Sequence, residues 1–320
     1  MRTESQPARP RIDQNDPSCH RWGVILAGGD GRRLLPLTRM IASDDRPKQF
    51  CTVVGSETLL EQTQHRVWRM VRPKQTLLVV TKKHECFFAD QATRGHSSRL
   101  LIQPCNRGTA PAILYSLMRL RELDPRAVVG FFPSDHHFGD DEAFIAHVDS
   151  AFAAAESRSG LVVLLGIAPI GPEVEYGWIE PGAPLATSSS GAICRVNRFW
   201  EKPSLTLASA LMERGCFWNS FVMVGRVDAF LSLIRRSLPN LLQAFEALPS
   251  AAEEAALLDT YASMTSTNFS EAVLSANPSG LAVLCGGNLG WSDLGETRRV
   301  LSVLGRMRWT PKVGQNLAVA

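Results

Sequence analysis

From Trp22 onward, short apolar or β-branched runs alternate with stretches of helical periodicity, the pattern of βαβ units around a mostly parallel sheet. The runs predict strands over 22–27, 76–81, 100–103, 127–132 and 161–166, with helices over 59–70, 110–123 and 141–156. The unbroken apolar stretch Val128-Val129-Gly130-Phe131-Phe132 suits a strand covered on both faces. After Gly166 the pattern changes. Pro and Gly recur at 169, 171, 172, 177, 181, 182 and 184, and Thr187-Ser188-Ser189-Ser190-Gly191 predicts a turn. Helices are expected over 205–213, 228–238 and 251–262, so this half is α+β in character. There is no internal repeat and no linker long enough to mark a second domain. The expected organisation is a flexible tail over 1–21, one folded domain over 22–305 and a C-terminal tail over 306–320.

Composition narrows the class. The 320 residues are 45% hydrophobic and 20% charged, as in soluble globular proteins, and no run approaches the roughly 18 apolar residues of a membrane span. With 34 basic and 31 acidic residues the net charge is +3, which gives no footprint for nucleic acid and suits a small anionic ligand equally well. Seven scattered cysteines without a C-x-x-C spacing point to reduced thiols in a cytoplasmic protein rather than to zinc or disulfides.

The first predicted strand runs into Leu26-Ala27-Gly28-Gly29-Asp30-Gly31-Arg32-Arg33-Leu34-Leu35-Pro36. Glycines bring backbone N–H groups close to phosphate oxygens, and arginine adds a planar fork of donors for the same oxygens. The turn is not a Walker loop, for it lacks Gly-Lys-Ser/Thr. It is not a dinucleotide fingerprint either, because Leu34 stands where a third glycine belongs. Pro47-Lys48-Gln49-Phe50 adds a second cation after a stiffened approach. Phe131-Phe132-Pro133-Ser134-Asp135-His136 ends an apolar strand in an acid, at the position where open parallel sheets bind ligands. A second acid at a glycine-bounded turn lies in Leu289-Gly290-Trp291-Ser292-Asp293-Leu294-Gly295. Two carboxylates from distant segments are what Mg²⁺ uses while keeping positions for water and phosphate oxygens. Tyr176-Gly177-Trp178-Ile179-Glu180-Pro181, Glu201-Lys202-Pro203 and Trp218-Asn219-Ser220 place acids, an amide and a lysine beside aromatic residues or proline, a mixture suited to a polyol with one anionic group.

In this order, eight segments resemble the mannose-1-phosphate guanylyltransferases, or GDP-mannose pyrophosphorylases, among the sugar-phosphate nucleotidyltransferases. They are Leu26-Ala27-Gly28-Gly29, Pro47-Lys48-Gln49-Phe50, Thr109-Ala110-Pro111-Ala112, Pro133-Ser134-Asp135-His136, Tyr176-Gly177, Glu201-Lys202-Pro203, Trp218-Asn219-Ser220 and Trp291-Ser292-Asp293. The resemblance implies an α/β, Rossmann-like nucleotidyltransferase fold with a mixed, mostly parallel central sheet flanked by helices. It implies the reaction of GTP with mannose 1-phosphate to GDP-mannose and pyrophosphate. It further implies that Arg33, Lys48 and Asp135 are catalytic and that Asp135 and Asp293 hold Mg²⁺. Ala27, Gly28, Gly29, Gly31, Gln103, Gly108 and Thr109 would bind the nucleotide. Gly177, Glu180, Glu201, Lys202 and Asn219 would bind the sugar phosphate. The subunit number, a homodimer included, stays open.

The chain departs from the family pattern at several points. Arg32 stands in place of threonine, Gly108 in place of asparagine and Phe221 in place of glycine. Glycine at 108 is what the thymidylyl- and uridylyl-transferring relatives show. Seven residues, 40–46, separate Arg39 from Pro47 where the family has about three, so Lys48 is expected on a longer loop with a small extra closure entropy. The chain continues only 25 residues past Gly295, so the further β-rich segment or fused isomerase domain of longer relatives is not expected within it. Two other readings stand beside the first: transfer of another base or to another sugar 1-phosphate, and a non-catalytic, regulatory binder of sugar nucleotides. A glycosyltransferase of similar topology would need an Asp-x-Asp motif, which Ser134-Asp135-His136 does not supply.

Overall fold

The computed structural model describes residues 17–93, 98–248 and 254–306. The predicted tails therefore lie mostly outside the described residues. The exception is 17–21, which is built into the fold. Pro17–His20 forms a short 3-10 helix, and His20 Nδ1 and the Trp22 indole both meet the Asp124 carboxylate, at 2.8 and 3.0 Å. At the other end the last helix runs through Arg306.

Among the described residues one mixed sheet organises the molecule. Its strands are β1 (Arg21–Leu26), β2 (Thr76–Thr81), β3 (Arg99–Gln103), β4 (Val128–Pro133), β5 (Val162–Ile167), β6 (Gly177–Ser188), β7 (Gly191–Glu201), β8 (Phe217–Arg226) and β9 (Leu281–Cys285). Their order is β3-β2-β1-β4-β8-β5-β9-β7-β6, with β8 also pairing β6. β3, β2, β1 and β4 run parallel, as do β5 and β9, while β8 enters antiparallel between β4 and β5. β6 and β7 form a long antiparallel hairpin closed at 188–191. The predicted turn at 187–191 thus joins two strands.

Period-2 alternation explains the continuous apolar runs. Val24, Leu77, Val79, Val129 and Phe131 face one core, and Ile25, Leu78, Val80, Val128 and Phe132 face the other. Each such side chain contributes about 1.5–3 kcal/mol by leaving water. The first core is covered by α4 (Thr109–Leu123), α7 (Val227–Ser237), α8 (Pro239–Glu246) and α9 (Glu254–Ser263). The second lies under α2 (Leu59–Trp68), α3 (Glu85–Thr93), α5 (Asp141–Ser157) and α6 (Leu205–Glu213). A third, small cluster packs Leu34, Val53, Val54 and Leu294 beneath Val300 and Val303 of α10 (Thr297–Arg306), beside α1 (Leu35–Ala42). It fastens the glycine-rich turn and the Lys48 segment to the loop carrying Asp293. No helix among the described residues is long and apolar enough to cross a membrane.

The inserted residues after Arg39 extend α1 to Ala42 instead of hanging as an open loop. Ser43 turns the chain in the left-handed region (φ 61°), and Arg39–Asp45 and Arg46–Asp44 ion pairs close the return.

Candidate active site

The parallel strands deliver their carboxyl ends to one edge of the sheet. β1 ends at Leu26 and leads to Gly28 and Gly29, β3 ends at Gln103, and β4 ends at Pro133 two residues before Asp135. β8 enters at the same edge, so Asn219 pairs with Gly166 at the end of β5. Between them lies a cleft of about 370 Å³, lined by Gly28, Gly29, Gln103, Gly108, Thr109, Asp135, Gly177, Glu201, Asn219 and Asp293 among others. A second cleft of about 310 Å³ adjoins it, bounded by Gly31, Arg32, Arg33, Lys48, Asp135 and Gly295. Asp135 belongs to both.

The two acidic segments, far apart in sequence, are stitched side by side. His137 N–H donates to Ser292 O at 2.9 Å and Ser292 N–H returns a bond to His137 O at 3.0 Å, an isolated antiparallel bridge. Gly139 N–H also donates to Leu289 O at 2.9 Å. Lys48 completes the junction. Its ammonium lies 3.3 Å from Asp135 Oδ2 and donates to the carbonyls of Asp293 and Leu294, and only 9% of its side chain is exposed.

Asp293 is held firmly. Its Oδ1 accepts from Tyr176 Oη at 3.0 Å, Arg299 Nη1 at 2.7 Å and Gly295 N at 3.0 Å. Burial pushes this carboxyl upward, but His136, Lys48 and Arg299 together outweigh burial and hold it below the usual carboxylate range. Burial keeps the His136 imidazole below its ordinary value. Its Nδ1 accepts from the Trp291 indole N–H at 3.3 Å, and Nε2 faces Asp135 at 3.7 Å.

Gln49 anchors the glycine turn, its Nε2 donating to Ala27 O at 2.9 Å and Gly29 O at 2.8 Å. A Cβ on Gly29 would meet no protein atom within 4 Å, so the space above it is open to a ligand. Gln103 is buried against Gly28 and accepts from Tyr261 Oη at 3.3 Å. Gly108 has φ 85° and ψ −177°, and its Cβ would lie 2.4 Å from Thr267 O, so the position demands glycine. Thr109 opens α4 and its hydroxyl accepts from Phe269 N–H at 2.8 Å.

Among the residues expected to bind the sugar phosphate, Gly177 pairs with Glu201 across β6 and β7. A Cβ on Gly177 would crowd Phe199 at 2.8 Å and Glu201 at 3.0 Å. Burial raises the Glu201 carboxyl, against the Asn268 amide 3.4 Å away. Asn219 Oδ1 accepts from Phe221 N–H at 3.1 Å, and Phe221 lines the cleft with φ 62°. Lys202 also sits in the left-handed region, at φ 46°, tied by its N–H to Tyr176 O at 3.2 Å.

The structure therefore brings Gly28, Gly29, Gln103, Gly108, Thr109, Asp135, Gly177, Glu201, Asn219 and Asp293 to one cleft and Gly31, Arg33 and Lys48 to its neighbour. Ala27 is buried beneath the turn. Glu180 stands outside both clefts, on the far side of β6, where its carboxylate pairs with Arg214. Arg33, with 57% of its side chain exposed, and Lys202 both reach Glu175, a cleft-lining residue absent from the candidates drawn from the motifs. Gln49, Tyr176, Trp291 and Asn268 are further additions. Gln49, Tyr176 and Trp291 lie inside the quoted motifs, whereas Asn268 lies in none of them.

A family model described as nucleotidyl transferase matches residues 22–306. The chain is 32% identical over 288 residues to the xanthan biosynthesis protein XanB of Xanthomonas campestris pv. campestris (strain B100), covering 88% of this chain and 58% of that one. It is 32% identical over 239 residues to a mannose-1-phosphate guanylyltransferase of Escherichia coli (strain K12), covering 72% of this chain and 48% of that one. The chain spans about half the length of the curated relatives it matches. A crystal structure described as mannose-1-phosphate geranyltransferase from Thermus thermophilus superposes with a TM-score of 0.76 at 32% identity, over 88% of this chain and 79% of that one.

Proposed function

The chain belongs to the nucleotidyl transferase family, and from that premise we propose that it transfers a guanylyl group from GTP to mannose 1-phosphate, giving GDP-mannose and pyrophosphate. The observation that carries this reading is the junction of Lys48, Asp135 and the Asp293 loop where the two clefts meet. The names of relatives about 30% identical support the choice of base and sugar.

In the reaction a phosphate oxygen of mannose 1-phosphate attacks the α-phosphorus of GTP. The bond from that phosphorus to the oxygen bridging to the β-phosphate breaks, and pyrophosphate leaves with the electron pair. The attacking oxygen is already ionised, so no base is required. The demand on the protein is to align two anions and stabilise charge on the phosphates. Lys48 and Arg33 meet the triphosphate, and Lys202 meets the phosphate of the sugar. Glu201, Asn219 and the backbone at Gly177 hold the hydroxyls. Gly28, Gly29, Gln103, Gly108 and Thr109 frame the base, with Ala27 and Gly31 shaping the turn. Glu180, engaged by Arg214, is left out of this assignment.

Asp135 and Asp293 both line the main cleft, while no group of three or more acidic, His or Cys side chains among the described residues forms a protein-only metal cluster. Such a pair fits Mg²⁺, which binds through one or two carboxylates and substrate phosphates. When bound there, Mg²⁺ would supply positive charge against the phosphate oxygens. A cytoplasmic location is part of the same reading, supported by the scattered cysteines.

A second reading, transfer of another base, is favoured by the glycine-only geometry at Gly108. Release of pyrophosphate from GTP, ATP, UTP and dTTP against a panel of hexose 1-phosphates separates the two. GTP with mannose 1-phosphate is expected to turn over fastest. Turnover with dTTP or UTP and none with GTP would replace the first reading by the second. Binding of GDP-mannose without turnover of any pair would identify a non-catalytic binder.

A further inference from the structure

One carboxylate occupies two cations, one assigned to the triphosphate and one to the phosphate of the sugar. Glu175 Oε2 accepts from Arg33 Nη1 at 2.7 Å and lies 3.6 Å from Lys202 Nζ. Arg33 comes from the glycine-rich turn and lines the second cleft, while Lys202, the residue after β7, lines neither, so a single oxygen draws together cations from two distant segments. Glu175 itself lines the main cleft, two residues before Gly177. The backbone aims the lysine there, since Lys202 takes a left-handed φ of 46° and its N–H is held by Tyr176 O. The neighbouring acid, Glu173, is turned elsewhere, its carboxylate 3.1 Å from Arg299.

Ion pairs this exposed contribute little to folding stability. Their effect falls on whatever else the cations bind. Tetrahedral phosphate, like planar carboxylate, offers arginine and lysine a pair of anionic oxygen acceptors. We propose that Glu175 is a built-in competitor for phosphate: its carboxylate holds Arg33 and Lys202 until substrate phosphates displace it, and it takes Arg33 back as pyrophosphate leaves and Lys202 back as the sugar nucleotide leaves. The residue thereby sets the anion affinity of the site and favours product release. This inference rests on the reading of Arg33 and Lys202 as phosphate ligands.

The test uses pyrophosphate as probe, by calorimetry at low salt, on the full chain and on the variants E175Q, E175D, R33A, K202A and R33A/E175Q. E175Q is expected to bind pyrophosphate about two- to five-fold tighter, the scale of an exposed ion pair. E175D, which keeps the charge, should stay nearer the wild type. The gain should shrink in the R33A background and in high salt, where the competition is screened. In turnover, E175Q should show a lower KM for the sugar phosphate, stronger inhibition by pyrophosphate and no rise in kcat. A merely structural role would not produce that split. If E175Q binds pyrophosphate no better than the wild type while R33A binds it more weakly, the phosphate site stands and the competitor role is refuted. If R33A and K202A both leave pyrophosphate binding unchanged, the phosphate reading of these cations fails and the proposal falls with it.

Discussion

Gly108→Ala isolates the backbone geometry on which the proposed base side of the cleft depends. At φ 85° and ψ −177° the residue occupies a region used essentially by glycine alone, and a side chain there costs about 1–3 kcal/mol. The added Cβ would also lie 2.4 Å from Thr267 O and 2.9 Å from Thr267 C and N. These are backbone atoms, so relief requires the two segments to part. They are joined by Ala110 N–H to Thr267 O at 3.1 Å and Thr267 N–H to Arg107 O at 3.0 Å. Each such bond contributes about 0.5–1.5 kcal/mol net. The expected destabilisation is roughly 2–5 kcal/mol, which lowers the melting temperature by on the order of 10 °C in a domain of this size. Thermal and urea unfolding measure the loss, and initial rates should show a raised KM for the nucleotide. An alanine variant within about 0.5 kcal/mol of the wild type, the range of an ordinary surface change, with the same nucleotide KM would refute the close approach to Thr267. Gly108→Asn, which installs the residue usual in the resembled family, should behave no better.

Gln49→Ala strands the buried Ala27 carbonyl, at about 1–3 kcal/mol, releases the exposed Gly29 carbonyl to solvent, and should raise the nucleotide KM. Unchanged urea stability together with unchanged KM would contradict the anchoring role. Phe221→Gly releases a left-handed residue strained by roughly 1–2 kcal/mol and opens the cleft wall beside Asn219. Acetamido-hexose 1-phosphates should gain kcat/KM relative to mannose 1-phosphate, and an unaltered ratio would remove Phe221 from the sugar site. Burial opposes ionisation of Asp124, but His20, the Trp22 indole and Arg126 N–H outweigh it and depress the folded pKa. A depressed carboxylate stabilises the fold above its unfolded pKa, about 3.9, and that contribution disappears as pH falls through the folded value. Asp124→Asn should therefore be less stable than the wild type at neutral pH, with the gap narrowing below about pH 4. A gap that is constant with pH would count against the carboxylate's role.

The parallel half of the sheet was legible because both of its faces are apolar, so β1 to β5 stand out as short continuous runs. The later strands were not. β6 carries Pro181, Gly182 and Pro184, which suggest loop, and it tolerates them through three register shifts along the hairpin. β8 was hidden because Trp218-Asn219-Ser220 has the look of a site loop, although buried Val222, Met223 and Val224 follow at once. β9 is five residues long, too short for periodicity to separate strand from helix. In the site, the glycine turn and both aspartates were legible as motifs. Their meeting was not, because it depends on the bridge between His137 and Ser292, which no local spacing encodes. Glu180 and Glu175 flank the same Tyr-Gly motif, but Glu180 lies within β6 and pairs with Arg214, whereas Glu175 lies in the bend before that strand and meets Arg33 and Lys202, a difference that the motif does not encode.

The proposed nucleotidyl-transfer centre unites Lys48, Asp135 and the Asp293 loop. Its most direct test is product analysis after mixing the protein with GTP, mannose 1-phosphate and Mg²⁺, in the wild type and in the Asp135→Asn and Asp293→Asn variants. The wild type should give GDP-mannose and pyrophosphate in equal amounts, and each variant should lose about a hundred-fold or more in rate, the scale of removing an electrostatic catalytic group. No GDP-mannose from the wild type, or undiminished formation in either variant, would contradict this assignment.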